Sequence, residues 1–127
     1  MDKDIRHWVE QSKYDYKTAA SMQKTGRYLY VLFCCQQAVE KLLKGLVIKH
    51  TNEMAPRTHD LLRLTGLAKI ELSEEQELFL RQLCNYYIET RYPEEMQELA
   101  RKVTRRIAYD YLNKTKEVLK WLARLLK

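Results

Sequence analysis

Apolar residues recur through most of the chain at intervals of three and four, the spacing that places them on one face of an α-helix. In the first stretch Ile5, Trp8, Val9 and Tyr16 fit this spacing, and Gly26 follows where a left-handed residue commonly ends a helix. Five helices are predicted in this way: residues 3–24, 28–50, 59–67 and 74–92, and a last one that begins at 100 or 104 and ends at 126.

The second predicted helix is apolar around most of its circumference, which indicates a central helix that the others bury. Its few polar residues include Gln36, Glu40 and Lys44, spaced four apart, and Glu40 precedes Lys44 in the order that favours a helical ion pair. Because unpaired charges are costly to bury, we expect Glu40 and Lys44 to be at least partly buried and partnered.

Local signals set the other helix boundaries. Thr58 is expected to cap the third helix, and Ser73 with Gln76 forms a capping box at the start of the fourth. Pro93 is expected to end the fourth helix, because the residue before a proline is driven out of the α region. These elements predict an all-α fold, an up-and-down bundle of four long helices plus one short connecting helix, in a single domain of residues 1–127.

The net charge of +6 is divided unevenly along the chain. Residues 71–98 contain eight acidic and two basic residues, a net charge of −6, whereas residues 101–127 contain nine basic and two acidic residues, a net charge of +7. Such a division is compatible with binding to nucleic acid, to an acidic partner or to a second copy. It is equally compatible with a solvated surface that only aids solubility.

The sequence also predicts a compartment. The N-terminal residues run directly into the first amphipathic stretch, so no signal peptide is expected, and no apolar run approaches the roughly 20 residues that cross a bilayer. Three cysteines, two of them adjacent, do not form a disulfide framework and favour a reducing compartment. We therefore expect a cytoplasmic protein without a membrane segment.

Known catalytic and metal-binding patterns are missing from the sequence. The three glycines are isolated, which excludes a phosphate-binding glycine loop, and there is no pair of Glu-x-x-His motifs for a di-iron site. No histidine neighbours Cys34 or Cys35 at zinc-ligand spacing. We therefore expect neither a metal nor a cofactor. His59 begins a predicted helix beside Arg57 and Thr58, where an anion site or a simple cap is possible, and the cap is favoured.

Three tyrosines and an arginine cluster just before Pro93, which is the most unusual feature of the sequence. Tyr86, Tyr87, Arg91 and Tyr92 would present a surface for stacking and for binding phosphate. In the alternative interpretation the tyrosines belong to the core and Arg91 pairs with an acid such as Glu40.

Several segments, taken in order, resemble the HEPN family, the nucleotide-binding domain shared by higher eukaryotes and prokaryotes. The resemblance covers nearly the whole chain and is carried by Gly-Arg-Tyr at 26–28, Gln-Gln-Ala-Val-Glu-Lys at 36–41, Thr-His-Asp-Leu at 58–61 and Thr-Arg-Tyr-Pro at 90–93. It implies a helical bundle that usually forms a homodimer. It also implies a partner, because many such proteins are encoded beside a minimal nucleotidyltransferase in a module of toxin–antitoxin type.

Other proteins of this family are metal-independent ribonucleases. The resemblance implies that these enzymes carry an arginine followed four to six residues later by a histidine. Arg91 takes the place of that arginine, but positions 96 to 98 are Met96, Gln97 and Glu98, and no histidine follows His59. A general base that works near neutral pH is therefore missing from this segment, and no ribonuclease activity is expected.

The sequence therefore predicts a non-catalytic module that binds a nucleotide, a minimal nucleotidyltransferase, or both. RNA is a less favoured ligand, and a ribonuclease with a degenerate site and a plain dimerising scaffold remain as alternatives. Its binding residues are expected to be Arg91, Tyr92, Tyr87, Lys44 and Glu40.

A homodimer is also expected from apolar and aromatic residues that lie off the main core stripes. Tyr14, Leu80, Tyr86 and Tyr109 are of this kind, and exposed patches of such residues often mark an interface.

Overall fold

In the computed structural model, which describes residues 2–127, every regular element is a helix. The predicted all-α bundle is confirmed, with six helices in the described residues where five were expected. They are α1 (Lys3–Lys24), α2 (Tyr28–Thr51), α3 (Leu61–Leu67), α4 (Glu74–Cys84), α5 (Pro93–Lys102) and α6 (Arg105–Arg124).

Helix α2 lies at the centre of the bundle, as its apolar circumference predicts. It packs most extensively against α1 and α6, and it also contacts α3, α4 and α5. The turn between α1 and α2 depends on Gly26, whose φ of 80° is a left-handed conformation that other residues adopt only with strain. The turn returns the chain so that α1 and α2 lie side by side, and most residues of α2 are then inaccessible to solvent.

The start of α4 follows the sequence prediction, whereas the start of α3 does not. The Ser73 hydroxyl accepts from the backbone N–H of Gln76 at 3.1 Å, and the Gln76 side chain accepts from the N–H of Ser73 at 2.9 Å. Helix α3 begins at Leu61 because the Asp60 carboxylate caps its first free N–H groups. The expectation that Thr58 caps this helix was wrong; its hydroxyl accepts from the N–H of Asp60 instead, at 3.2 Å.

The role expected for Pro93 was also wrong. Helix α4 ends at Cys84, and Pro93 is the first residue of α5. Proline is favoured at that position because its φ suits a helix and its missing N–H would have no partner there. The intervening segment, residues 85–92, contains turns and carries the tyrosine and arginine cluster. Pro93 therefore marks the start of an extra helix and leaves the cluster in a connecting segment.

The residues expected at a dimer interface differ in exposure. Tyr14 and Tyr109 are 68% and 52% exposed, as an interface would require. Leu80 is fully buried in the core, so its assignment to the surface was wrong. Tyr86 is half-buried and contacts the ring of Tyr111 edge-on.

In residues 2–127, none of the helices combines the length and the apolar character that spanning a bilayer requires.

Candidate functional site

A cleft of about 590 Å³ opens between the start of α3, the end of α4 and the segment that leads into α5. His59, Arg81, Tyr87, Arg91 and Glu95 are among the residues that line it. His59 is distant in sequence from the other four, and it comes close to them because α3 packs against both α2 and α4.

One wall of the cleft is a stacked pair of rings. The imidazole of His59 lies over the phenol ring of Tyr87 with a centroid distance of 3.7 Å and an interplanar angle of 16°. Burial raises the pKa of Tyr87 to about 12, and the neighbouring Glu89 carboxylate adds to this effect. The phenol therefore stays protonated and donates to Glu89 at 3.0 Å. The pair presents a flat surface to the cleft, of the kind on which a nucleobase stacks.

A buried carboxylate fixes the orientation of this histidine. The Glu40 side chain is 2% exposed, and its Oε1 lies 2.9 Å from His59 Nδ1. Gln36 Nε2 donates to the same oxygen at 3.2 Å, and Lys44 Nζ donates to the other carboxylate oxygen at 3.1 Å. The expectation that Glu40 and Lys44 are buried and paired is confirmed. Glu40 therefore links the core of α2 to the edge of the cleft.

Lys44 has a second partner besides Glu40. Its ammonium lies 5.4 Å from the centre of the Trp8 ring, within the range of a cation–π interaction. Lys44 as a whole is 7% exposed, so its charge is held inside the protein by the carboxylate and the ring together. Lys44 therefore supports Glu40 and has no direct access to the cleft.

The guanidinium of Arg91 is anchored by two neighbours. One amino group donates to the backbone oxygen of Asn85 at 2.9 Å, and the other lies 3.3 Å from the carboxylate of Glu95. The Nε of Arg91 is buried and has no hydrogen-bond partner among the described residues. Arg91 therefore pairs with an acid, as the alternative interpretation expected, but that acid is Glu95 and not Glu40. The Arg91 side chain is 31% exposed and remains accessible from the cleft.

The structure separates the five predicted binding residues into three groups. Arg91 and Tyr87 line the cleft, whereas Glu40 and Lys44 lie behind it. Tyr92 is 71% exposed and is not part of the cleft lining.

From the sequence, His59 was expected to serve only in a simple helix cap, and a partner histidine for Arg91 was expected only among the residues that follow it. The structure brings His59 to the same cleft from the preceding part of the chain. The signal in the sequence was the group of polar residues at 57–60, but nothing in it connects that group to Arg91.

A second cavity has a basic lining but lacks these features. It has a volume of about 660 Å³ and lies between α1 and α6, with Lys24, Arg105, Arg106, Tyr28 and Tyr109 among its lining residues. In the part of the chain that is described, no stacked ring pair belongs to it. No group of three or more His, Cys, Asp or Glu side chains in residues 2–127 is arranged to hold a metal ion.

Comparison with known proteins gives a consistent family. The sequence matches the family model described as "HEPN domain" over residues 5–125. The structure is similar to the crystal structure of TT1696 from Thermus thermophilus, with a TM-score of 0.80 and 28% identity over 97% of this chain and 98% of that one. It also shares the fold of ST0689, an archaeal HEPN homologue, with a TM-score of 0.67 and 21% identity over 99% of this chain and 100% of that one. A comparison with curated proteins found no match. Because the family model spans nearly all of the sequence, the chain belongs to the HEPN domain family.

Proposed function

We propose that this HEPN domain binds a nucleotide in the cleft between His59, Tyr87 and Arg91. The observation that carries the proposal is that a stacked aromatic wall and an arginine line the same cleft. A nucleotide has the complementary pair of groups, a planar base and an anionic phosphate. In this proposal Arg91, Tyr87 and His59 contact the nucleotide. Glu40 and Lys44, which were also predicted as binding residues, lie behind the cleft and hold His59 in place.

Each group of the nucleotide has a partner of suitable chemistry. The side chain of His59 is 47% exposed, so one face of its ring is available to a base while Tyr87 covers the other. Arg91 offers N–H donors to a phosphate, for which a guanidinium is well suited. Without a ligand, the Arg91 guanidinium is paired with the Glu95 carboxylate. A bound phosphate must therefore replace Glu95 as the acceptor of some of the guanidinium N–H groups.

A minimal nucleotidyltransferase is the proposed protein partner, in a cytoplasmic module of toxin–antitoxin type. Support comes from the family resemblance and from the surface next to the cleft. Tyr92 is 71% exposed beside Arg91, and large exposed aromatic rings are favoured in protein interfaces. The protein itself is proposed to form a homodimer, for which Tyr14 and Tyr109 supply exposed aromatic surface.

Calorimetric titration with AMP and ATP tests nucleotide binding. Arg91→Ala should weaken binding by about tenfold to a hundredfold, the usual effect of losing a hydrogen bond to a charged group. Arg106→Ala is a matched control, because Arg106 pairs with Asp110 four residues ahead at 3.3 Å, as Arg91 does with Glu95. Equal affinity of the wild type and Arg91→Ala would contradict the proposal. A loss confined to Arg106→Ala would place the ligand in the second cavity.

Two further measurements test the proposed partners. A purified minimal nucleotidyltransferase should be retained by the immobilised wild-type protein and less strongly by Tyr92→Ala, whose fold should be unaffected because the ring is exposed. Equal retention of both proteins would remove Tyr92 from the interface. Light scattering at tens of micromolar should give the mass of a dimer, and a monomer mass would contradict the proposed homodimer.

A further inference from the structure

A row of positive charge follows the line where α1 and α6 lie side by side, on a surface separate from the cleft at His59. Two hydrogen bonds fix the alignment of the two helices. Tyr16 donates to the backbone oxygen of Leu112 at 3.2 Å, and Gln23 donates to that of Arg105 at 3.1 Å. A step of seven residues forward on α1 is therefore a step of seven residues back on α6, so the helices are antiparallel.

The two helices carry matching sets of residues along this line. On α1 three lysines stand at i, i+4 and i+11, and on α6 two cations and a tyrosine have the same spacing, which keeps side chains on one face of a helix. The alignment puts one residue of each set at three successive levels. The pairs are Lys24 with Arg105, Lys17 with Tyr109, and Lys13 with Lys116. We call the surface formed by these six residues the α1–α6 groove, and the second cavity lies at its Lys24 end.

The positive charge of the groove has no counter-charge. Its five cations are exposed, and none of them pairs with a carboxylate in residues 2–127. The neighbouring acids of α6 have other partners, since Asp110 lies 3.3 Å from Arg106 and Glu117 lies 3.9 Å from Lys120. On α1, Glu10 ends the basic row three residues before its first lysine. From its first lysine to its last the row is roughly 16 Å long, at about 1.5 Å per residue.

The first turn of α6 reverses the usual placement of charge on a helix. A helix N-terminus carries partial positive charge, which favours acids in the first turn. The first turn of α6 contains no acid and begins with Arg105 and Arg106. Thr104 accepts from the N–H of Ile107 at 3.2 Å, whereas the N–H groups of the two arginines find no acceptor among the described residues. This turn is therefore arranged to receive an anion.

We infer that the α1–α6 groove binds a strand of single-stranded nucleic acid through its sugar–phosphate backbone. The cations at successive levels neutralise successive phosphates, as in proteins that bind single strands without reading their sequence. Tyr28 and Tyr109 line the cavity at one end of the groove and offer rings on which unpaired bases stack. This site is additional to the proposed nucleotide cleft and does not depend on it.

A protein segment or a second copy fits the groove less well than a nucleic-acid strand. The buried core of a protein interface is depleted in charged residues, whereas every level of the groove carries at least one cation. Two copies placed groove to groove would bring like charges together. A nucleic-acid backbone supplies one negative charge per nucleotide and requires no apolar core.

Fluorescence anisotropy with a labelled oligothymidylate of about 12 nucleotides measures binding between about 50 mM and 200 mM salt. Each phosphate contact to a single strand contributes about 0.7 to the slope of log affinity against log salt. Contacts from all five cations predict a slope of about −3.5, which is a loss of affinity of about a hundredfold over this range. An oligouridylate of the same length should bind within about threefold, because the contacts are made to the backbone and to base faces.

The central variant is Lys17→Gln/Lys116→Gln, which removes one cation from each side of the groove. Lys69→Gln/Lys114→Gln is the matched control, because it makes the same change of net charge at two exposed lysines that line other cavities. At about 50 mM salt the groove variant should bind about 30-fold to 100-fold more weakly, with a slope of about −2, whereas the control should keep the wild-type slope. AMP titration should give equal affinities for all three proteins, because none of these lysines lines the nucleotide cleft.

No binding of oligothymidylate by the wild type at low salt, or an equal loss in the control, would overturn the inference. So would a loss in Arg91→Ala with none in the groove variant, which would place the strand in the nucleotide cleft. A preference of tenfold or more for one of the two oligonucleotides would contradict binding through the backbone. Tighter binding of a polyglutamate peptide would assign the groove to an acidic protein segment, and a dimer that dissociates only in the groove variant would assign it to a second copy.

Discussion

Replacing Glu40 with Gln tests whether the charged network inside α2 stabilises the fold. Glu40 is 1% exposed and its two oxygens together accept from Gln36, Lys44 and His59. The substituted amide still offers one oxygen to Lys44 but removes the negative charge. It also places an NH₂ group opposite N–H donors that previously donated to a carboxylate oxygen of Glu40.

The size of the effect follows from these contacts. A hydrogen bond to a charged group contributes about 1.5–3 kcal/mol, and removing one member of a buried ion pair outright costs about 3–5 kcal/mol. Because one acceptor oxygen and the Trp8 ring remain near Lys44, we expect Glu40→Gln to lower the free energy of unfolding by about 2–3 kcal/mol. For a chain of 127 residues this corresponds to a fall in Tm of roughly 7–11 °C.

Urea denaturation followed by circular dichroism measures this difference. Glu77→Gln is the matched control, because Glu77 pairs with Arg81 four residues ahead but both side chains are more than half exposed. Its effect should stay below about 0.5 kcal/mol. The double variant Glu40→Gln/Lys44→Met should be more stable than Glu40→Gln alone, since it removes a buried ammonium that has lost its opposite charge. Equal denaturation midpoints for Glu40→Gln and the wild type would refute the reasoning.

Three further predictions concern the capping box, the thiols and the arginine in the cleft. Ser73→Ala should lower the free energy of unfolding by about 0.5–2 kcal/mol in urea, because the N–H of Gln76 loses its acceptor, and an unchanged midpoint would contradict this. Burial raises the pKa of Cys34 to about 11 and of Cys35 to about 12, so a thiol reagent at pH 8 should react slowly until the protein unfolds. For both thiols the pKa is higher in the folded protein than in the unfolded one. The contribution of the thiols to the free energy of unfolding is therefore complete below about pH 8.5. Urea denaturation should show this contribution declining as the pH rises toward 12. Glu95→Gln should raise nucleotide affinity about twofold to fivefold in calorimetry by releasing Arg91, and an unchanged or lower affinity would show that Glu95 does not compete.

The sequence predicts the parts of the fold that depend on local periodicity and capping. Helices α1 and α2 end within one residue of the predicted positions, and the capping box at Ser73 starts α4 as expected. The cap of α3 was predicted wrongly because Thr58 and Asp60 are both suitable N-cap residues. The role of Pro93 was predicted wrongly because a proline can either follow a helix or occupy the first position of the next one. Leu80 was predicted wrongly because it was placed off the main stripe of α4, whereas the buried face of α4 consists of Phe79, Leu80 and Leu83.

The candidate site was harder to predict, because it is made of long-range contacts. Tyr87 and Arg91 were identified from their types and their position before a proline. His59 precedes Tyr87 by 28 residues in the sequence, and no local pattern indicates that the two rings stack. His59 is therefore distant from Arg91 in sequence, yet both residues line the same cleft in the fold.

The hydrogen-bond network around Glu40 connects the stability of the bundle to the properties of the cleft. Glu40 is fixed by its position on the central helix, and it orients the ring that forms one wall of the cleft. Substitutions at Glu40 are therefore expected to change both unfolding and ligand binding. Arg91 has its partners on Asn85 and Glu95, outside this network, so Arg91→Ala should affect binding with little effect on the core.

The central claim is that a nucleotide binds between the His59–Tyr87 stack and Arg91, and NMR mapping of amide chemical shifts during titration with AMP tests it most directly. The largest shift changes should fall in residues 57–62 and 84–95, and they should disappear in Arg91→Ala. Shift changes concentrated around Lys24 and Arg105, or none at saturating AMP, would contradict it.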